Sequence, residues 1–227
     1  MQYLWICPVC LGLAAWFIMV ERAERYVMAD VIKGAASVCF VLLGILGMLR
    51  SGDASNIEYL VTICVGLVIG AVADVVLNLR YVFEGAKGRA AFLVGILVFL
   101  LGHVAYLVAL LRRCAMPYLY MGIGLVLTGA LMYWILQRIE AALAFKVFGV
   151  FYIGAITVMN SVAVGALLTQ PSAHAAMFVA GALLFLASDV ILILNTFGPT
   201  QRFTWRVSNL MLYYVGQLLI ALSLQLV

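Results

Sequence analysis

Tyr59–Leu79 reads YLVTICVGLVIGAVADVVLNL, an apolar run whose only charge is Asp74. About 20 apolar residues in a helix cross the ~30 Å of hydrocarbon in a bilayer. Working outward, the chain holds eight such runs between its charged clusters: Tyr3–Val20, Asp30–Leu49, Tyr59–Leu79, Ala90–Leu111, Tyr118–Leu136, Phe145–Leu168, Ala175–Asn195 and Val207–Val227. Backbone polar groups in lipid must be satisfied within the protein, and no stretch shows the alternation of a membrane barrel strand. The expected fold is therefore an all-α membrane protein: a bundle of eight transmembrane helices in a single domain, 1–227. So little chain is left for loops that any chemistry has to come from the helices or their ends.

Composition agrees. Of 227 residues, 67% are hydrophobic and 10% charged, and the mean hydropathy is +1.21. A soluble domain of this size cannot bury so much apolar surface. The net charge of +4 is small and scattered, which argues against a nucleic-acid partner. The basic residues read instead as topology signals. Ten of the thirteen, Arg22, Arg25, Lys33, Arg80, Lys87, Arg89, Arg138, Lys146, Arg202 and Arg206, fall on one side of the expected bundle; Arg50, Arg112 and Arg113 fall on the other. The richer side is expected to be cytoplasmic, with both termini outside the cytoplasm and the protein in a bacterial inner membrane. No basic residue precedes the first apolar run, whereas Arg22 and Arg25 follow it, so that run reads as a retained helix and not a cleaved signal. Of the five cysteines, only Cys7 and Cys10 have a suggestive spacing. They lack a second pair and a nearby histidine, which favours packing over redox or metal chemistry.

The third run carries Gly66 eight residues before Asp74, and the seventh carries Gly181 eight before Asp189; an aliphatic run follows each acid. The offset of 115 residues is about half the chain. It maps helices one to four onto five to eight in the same orientation, as two parallel four-helix repeats (1–114 and 115–227). Parallel repeats of this kind tend to meet at the functional site. Both acids would sit roughly 7–9 Å below the cytoplasmic boundary on parallel helices. A carboxylate in hydrocarbon costs ~2.5–3.5 kcal/mol on insertion scales, so neither is an ordinary surface residue. The expectation is a catalytic pair, Asp74 and Asp189, facing one another and sharing a proton, one as acid and one as base. The plainer alternative is that each hydrogen-bonds a neighbouring helix.

Other polar residues belong to the same map as candidate substrate-binding groups. Asn78 lies one turn beyond Asp74, Ser188 adjoins Asp189, and Asn195 closes the seventh run. Lys33, near the cytoplasmic start of the second helix, is placed to meet the acids or a lipid phosphate, or to snorkel. His103 and Tyr106 share one side of the fourth helix; Tyr214 and Gln217 do so in the eighth; Tyr152 and Asn160 interrupt the sixth. Together they suggest a cavity entered from the cytoplasmic leaflet. No two residues on one helix have metal-ligand spacing, so no metal or other cofactor is expected.

Four segments resemble the YhhN-like lysoplasmalogenase family of multi-pass membrane enzymes: Gly70–Leu77, Phe99–Tyr106, Gly181–Asp189 and Tyr214–Ile220. They occur in the family's order, and the resemblance covers nearly the whole chain. The Gly102-His103…Tyr106 and Phe185…Ser188-Asp189 segments are the most specific. Ala73 stands where the family usually has Gly, and Gly34 where it often has Pro. The resemblance implies hydrolysis of the vinyl ether bond of a lysoplasmalogen, a lysophospholipid drawn from the membrane. The products are a fatty aldehyde and a glycerophospho-ethanolamine or -choline. Protonating a vinyl ether at its β-carbon makes an oxocarbenium ion that water attacks, a task for an acid and a carboxylate. The main rival is a transporter or proton-coupled carrier of a small amphiphile, which also uses intramembrane acids. An intramembrane aspartyl protease would carry a different glycine-flanked acid motif.

Overall fold

A computed structural model describes residues 3–51 and 54–227. Its helices are α1 (Ile6–Arg22), α2 (Tyr26–Ser51), α3 (Ile57–Asn78), α4 (Gly85–Leu111), α5 (Pro117–Leu136), α6 (Leu143–Thr169), α7 (Ala173–Phe197) and α8 (Phe203–Ser223). Short 3₁₀ turns extend α3 and α8. The described residues form no strand. Seven helices, α2 to α8, are long and apolar enough to cross a membrane. The eighth span expected, near the N-terminus, is α1, whose 17 residues reach only about 26 Å. The chain is thus an integral membrane protein, with eight α-helices among the described residues, seven of them clear spans.

Local chemistry places the helix ends. Ser172 starts α7 by accepting the Ala175 N–H on its hydroxyl at 3.1 Å, the favoured N-cap arrangement. Pro117 opens α5, where a missing N–H costs nothing. Gly85 begins α4 at φ +59°, and Glu24 turns the chain between α1 and α2 at φ 58°.

Consecutive helices pack as hairpins, α1 on α2, α3 on α4, α5 on α6 and α7 on α8; α4 against α6 and α2 against α3 and α8 then join them. α8 lies at the centre, with 67% of its apolar window buried, and α5 at the edge, with 22%. The outward faces of α3, α4 and α5 show Val65, Val72, Leu101, Val108, Leu125 and Val126. Those faces need lipid as solvent. Buried Phe17, Phe40, Phe178, Phe185, Tyr106 and Tyr214 fill the middle.

Two of the hairpins cross through glycines. A Cβ built on Gly102 (α4) would lie 3.4 Å from the Gly66 carbonyl oxygen (α3), and one on Gly216 (α8) would lie 2.8 Å from that of Gly181 (α7). Small residues that let backbones approach are the usual means of packing helices in lipid, where no hydrophobic force drives them together. A Cβ on Gly181 would meet the Gly216 carbonyl at 2.6 Å, whereas one on Gly12 meets nothing within 4 Å. Gly181→Ala should therefore destabilise the detergent-solubilised protein by about 1–3 kcal/mol, with Gly12→Ala neutral, as read by thermal unfolding.

Candidate functional site

The second helix presents Asp30, Lys33 and Ser37 at helical spacing toward α3 and α8. The Lys33 ammonium is 3.2 Å from Asp74 Oδ1, with both side chains almost wholly buried. Asp74 Oδ2 accepts the Ser37 hydroxyl at 2.6 Å and the Tyr213 hydroxyl at 2.5 Å. One carboxylate thus ties α2, α3 and α8 together, answered by a cation and two O–H donors. Lys33 Nζ also lies 5.8 Å from the centre of the Phe17 ring, and its carbonyl accepts the Tyr214 hydroxyl at 3.4 Å. Lys33 is therefore the counter-ion of a buried acid. Of the roles open to it from its position, contact with one of the acids, Asp74, is realised.

Asp189 has a different neighbourhood. Its Oδ2 accepts the Tyr152 hydroxyl of α6 at 2.5 Å, and no basic side chain pairs with it among the described residues. No hydrogen bond joins Asp74 to Asp189. The expectation of two acids meeting over one shared proton is corrected here: each is held by donors from its own set of helices. The reason is geometric. Ser37 and Tyr152 each stand 37 residues before the acid they donate to, and Tyr213 of α8 adds a second hydroxyl to Asp74, so each acid is engaged by donors other than the opposite acid.

What lies between them is aromatic. Tyr152 packs edge-on to His103 at 5.5 Å, His103 lies 4.7 Å from Phe185, and Phe185 is 5.0 Å from Tyr213, the donor to Asp74. His103 donates from Nδ1 to the Phe99 carbonyl at 2.8 Å, because a carbonyl can only accept. Its Nε2 is then an acceptor, buried and without a partner. Tyr106 donates to Gln217 Oε1 at 3.2 Å, and Gln217 Nε2 donates to the Tyr213 hydroxyl at 3.4 Å. His103, Tyr106, Gln217 and Tyr214 are thus gathered in one core that reaches Asp74.

The remaining candidates are placed as follows. Ser188 accepts Asn209 Nδ2 on both its carbonyl and its hydroxyl, at 2.9 and 2.8 Å. Asn78 is buried with neither end of its amide hydrogen-bonded, and Asp30 Oδ1 is likewise buried and unpartnered. Asn195 is not in the core. Its Oδ1 accepts the Arg202 N–H at 2.7 Å, and it lines a cavity of about 450 Å³ at the ends of α3, α4, α7 and α8. Cys10 donates weakly to the Ala36 carbonyl at 3.3 Å, and all five cysteines are free thiols.

Ser37, Tyr213, Asn209 and Asp30 were not singled out from sequence. Asp30 and Lys33 are three apart, and Ser37 is one turn further along the same face. That pattern of polar residues in an apolar helix was the available signal.

That same cavity is lined by Arg80, Arg89 and Arg206, by the first turn of α4 and by Asn209, the partner of Ser188. It shares Phe92, Phe145, Leu192 and Phe197 with a narrow apolar crevice that runs to Tyr152. The three phenylalanines contact one another at 5.3–5.8 Å and form the partition.

A multi-pass helical membrane protein with buried, separately partnered acids beside a basic cavity is the class these features define. The chain belongs to the YhhN family, whose family model matches residues 28–224. No curated protein and no solved structure shows significant similarity to it.

Removing one partner of a buried ion pair costs about 3–5 kcal/mol, because the other charge is stranded. Lys33→Met should lower stability by that order, Ser37→Ala by less, and Lys33→Met combined with Asp74→Leu should recover most of the loss. Chemical denaturation in mixed micelles measures all three; additive losses in the double variant would contradict the pairing.

Proposed function

We propose that the protein is a membrane hydrolase that cleaves the vinyl ether bond of a single-chain lysophospholipid, a lysoplasmalogen, to a fatty aldehyde and a glycerophospho-alcohol. The observation that carries this reading is the placement of Asp189 and its donor Tyr152. Tyr152 lines an apolar crevice and carries Asp189 behind it on its hydroxyl, and the crevice adjoins, across a phenylalanine partition, a cavity rich in hydrogen-bond donors. That is the shape an amphiphile requires, polar at one end and apolar at the other. The crevice is too narrow for a chain as it stands, so Phe145 or Phe197 has to move aside on binding.

Asp189 is assigned the acid. An ionised carboxylate in an apolar core needs a counter-charge; Asp74 has Lys33, and Asp189 has a hydroxyl alone. Asp189 gives its proton to the β-carbon of the vinyl ether, leaving an oxocarbenium ion beside its carboxylate. Water adds to the cationic carbon and returns a proton to Asp189. The hemiacetal then breaks its C–O bond to the glycerol, releasing aldehyde and alcohol. Asp74 is assigned the supporting role: through Tyr213 it fixes the aromatic core around His103. His103 Nε2, an unused acceptor next to Tyr152, is placed to orient water. No cofactor is needed for this chemistry.

The 37-residue spacing repeated between donor and acid, and the paired glycine crossings, support the reading of two parallel four-helix repeats whose active elements face a common core. The distribution of basic residues supports an orientation with both termini outside the cytoplasm, so that the cavity faces inward. A carrier of the same amphiphile would use the same buried charges, but the helices bearing the acids, α3 and α7, run without a break through them.

Purified protein given a lysoplasmenyl lipid should release aldehyde. Asp189→Asn and Tyr152→Phe should reduce the rate by at least about 100-fold while melting normally. Lipid uptake into proteoliposomes without aldehyde would favour the carrier instead. For topology, a C-terminal alkaline phosphatase fusion should be active in intact cells and a C-terminal green fluorescent protein fusion dark; the opposite pattern reverses the orientation.

A further inference from the structure

We infer that the cavity at the ends of α3, α4, α7 and α8 is a phosphate-ester site with Arg80 as its principal ligand, which deepens the hydrolase reading by saying what holds the polar end of the substrate. Arg80 is partly buried and stands against two rings, its Cζ 4.4 Å from the centre of Phe92 and 4.6 Å from that of Tyr81. One of its amino groups donates to the Tyr81 hydroxyl at 2.7 Å. A guanidinium has five N–H donors in a rigid fork, and the rings hold the fork without consuming most of them. The ion pairs among the described residues belong to Lys33, Arg112 and Arg206. Arg80 has no carboxylate.

Its surroundings favour an anion further. No Asp or Glu lines the cavity. Arg206 lines it too, but its charge is answered by Glu21, with two hydrogen bonds at 3.0 and 2.6 Å. Arg89 and Arg80 therefore leave a net positive charge. Gly85 and Gly88 bring the first turn of α4 to the wall, and with it the positive end of a long helix. Asn195 has its oxygen engaged by Arg202 and so offers its NH₂. Several donors around a space of about 450 Å³ suit the oxygens of a phosphate ester better than the two oxygens of a carboxylate. The phosphate could arrive on a lipid or on a free phosphate ester, and the test separates them.

Binding is measured by calorimetry on the full chain in a maltoside detergent and phosphate-free buffer. The probes are a lysophosphatidate, the monoacylglycerol of the same chain, the matching fatty acid, and sn-glycerol 3-phosphate. The wild type should bind lysophosphatidate about ten-fold more tightly than monoacylglycerol, the size of one charge-assisted hydrogen bond lost or gained. Arg80→Gln should abolish that preference and leave monoacylglycerol binding unchanged, Arg80→Lys should retain part of it, and Arg50→Gln, exposed at the far end of α2, should retain it all. Glycerol 3-phosphate binding as tightly as lysophosphatidate identifies a free ester as the ligand; a requirement for the chain identifies the lipid. The assignment is overturned if the wild type shows no preference, if the fatty acid binds as well as lysophosphatidate, or if folded Arg80→Gln keeps the preference. Should Arg80→Gln not fold, the wild-type comparison of lysophosphatidate, fatty acid and monoacylglycerol still decides whether the site takes phosphate, and Arg80→Lys decides whether Arg80 holds it. The readout is binding, so a protein that holds phosphate lipids but releases no aldehyde refutes the hydrolase and leaves this site standing.

Discussion

A lysine and an aspartate placed face to face in the apolar core, Lys33 against Asp74, constrain everything near them. Either charge alone would be costly at that depth, so the helices that carry them have to stay in register. Ser37 and Tyr213 extend the constraint from two helices to three, because each spends its hydroxyl on the same carboxylate oxygen. From Tyr213 it passes to Gln217 and Tyr106 by hydrogen bonds, and to Phe185 and His103 by ring packing. α8 is accordingly the most buried of the seven spans.

The second acid stands outside that arrangement. Asp189 sits on the far side of the aromatic core with one hydroxyl for company. The two carboxyls thus have different surroundings. One is neutralised by a cation and serves the architecture; the other is kept dry without one. Ser188, next to Asp189, is held by Asn209, which also lines the basic cavity. Asp189's neighbour and the basic cavity are therefore joined by one hydrogen-bonded step between α7 and α8.

The cavity and the crevice follow from the way the helices end. Arg80 lies in the 3₁₀ turn after α3, Gly85 and Gly88 in the first turn of α4, and Asn195 in the last turn of α7. Where four helices finish at the same level, their unpaired backbone groups and flanking side chains make a polar rim over an apolar interior. The Phe92–Phe145–Phe197 cluster lies at the boundary between the two.

The membrane-helical architecture was legible in the chain itself, because a run such as Tyr59–Leu79 has to satisfy its backbone internally and only a helix can do that within one segment. The singular position of Asp74 and Asp189 was legible for a related reason: a lone carboxyl among aliphatic residues is too costly to be incidental. What no reading of one helix at a time could supply is which side chain answers each acid. Lys33, Ser37 and Tyr213 meet Asp74, and Tyr152 meets Asp189, only because particular faces of separate helices were brought within 3 Å or so of each other. Side-chain partners across helices depend on crossing angles and helix rotation, which apolar composition leaves open and packing at contacts such as Gly181 on Gly216 decides. For that reason two acids that the linear pattern paired with each other are, in three dimensions, each paired with something else.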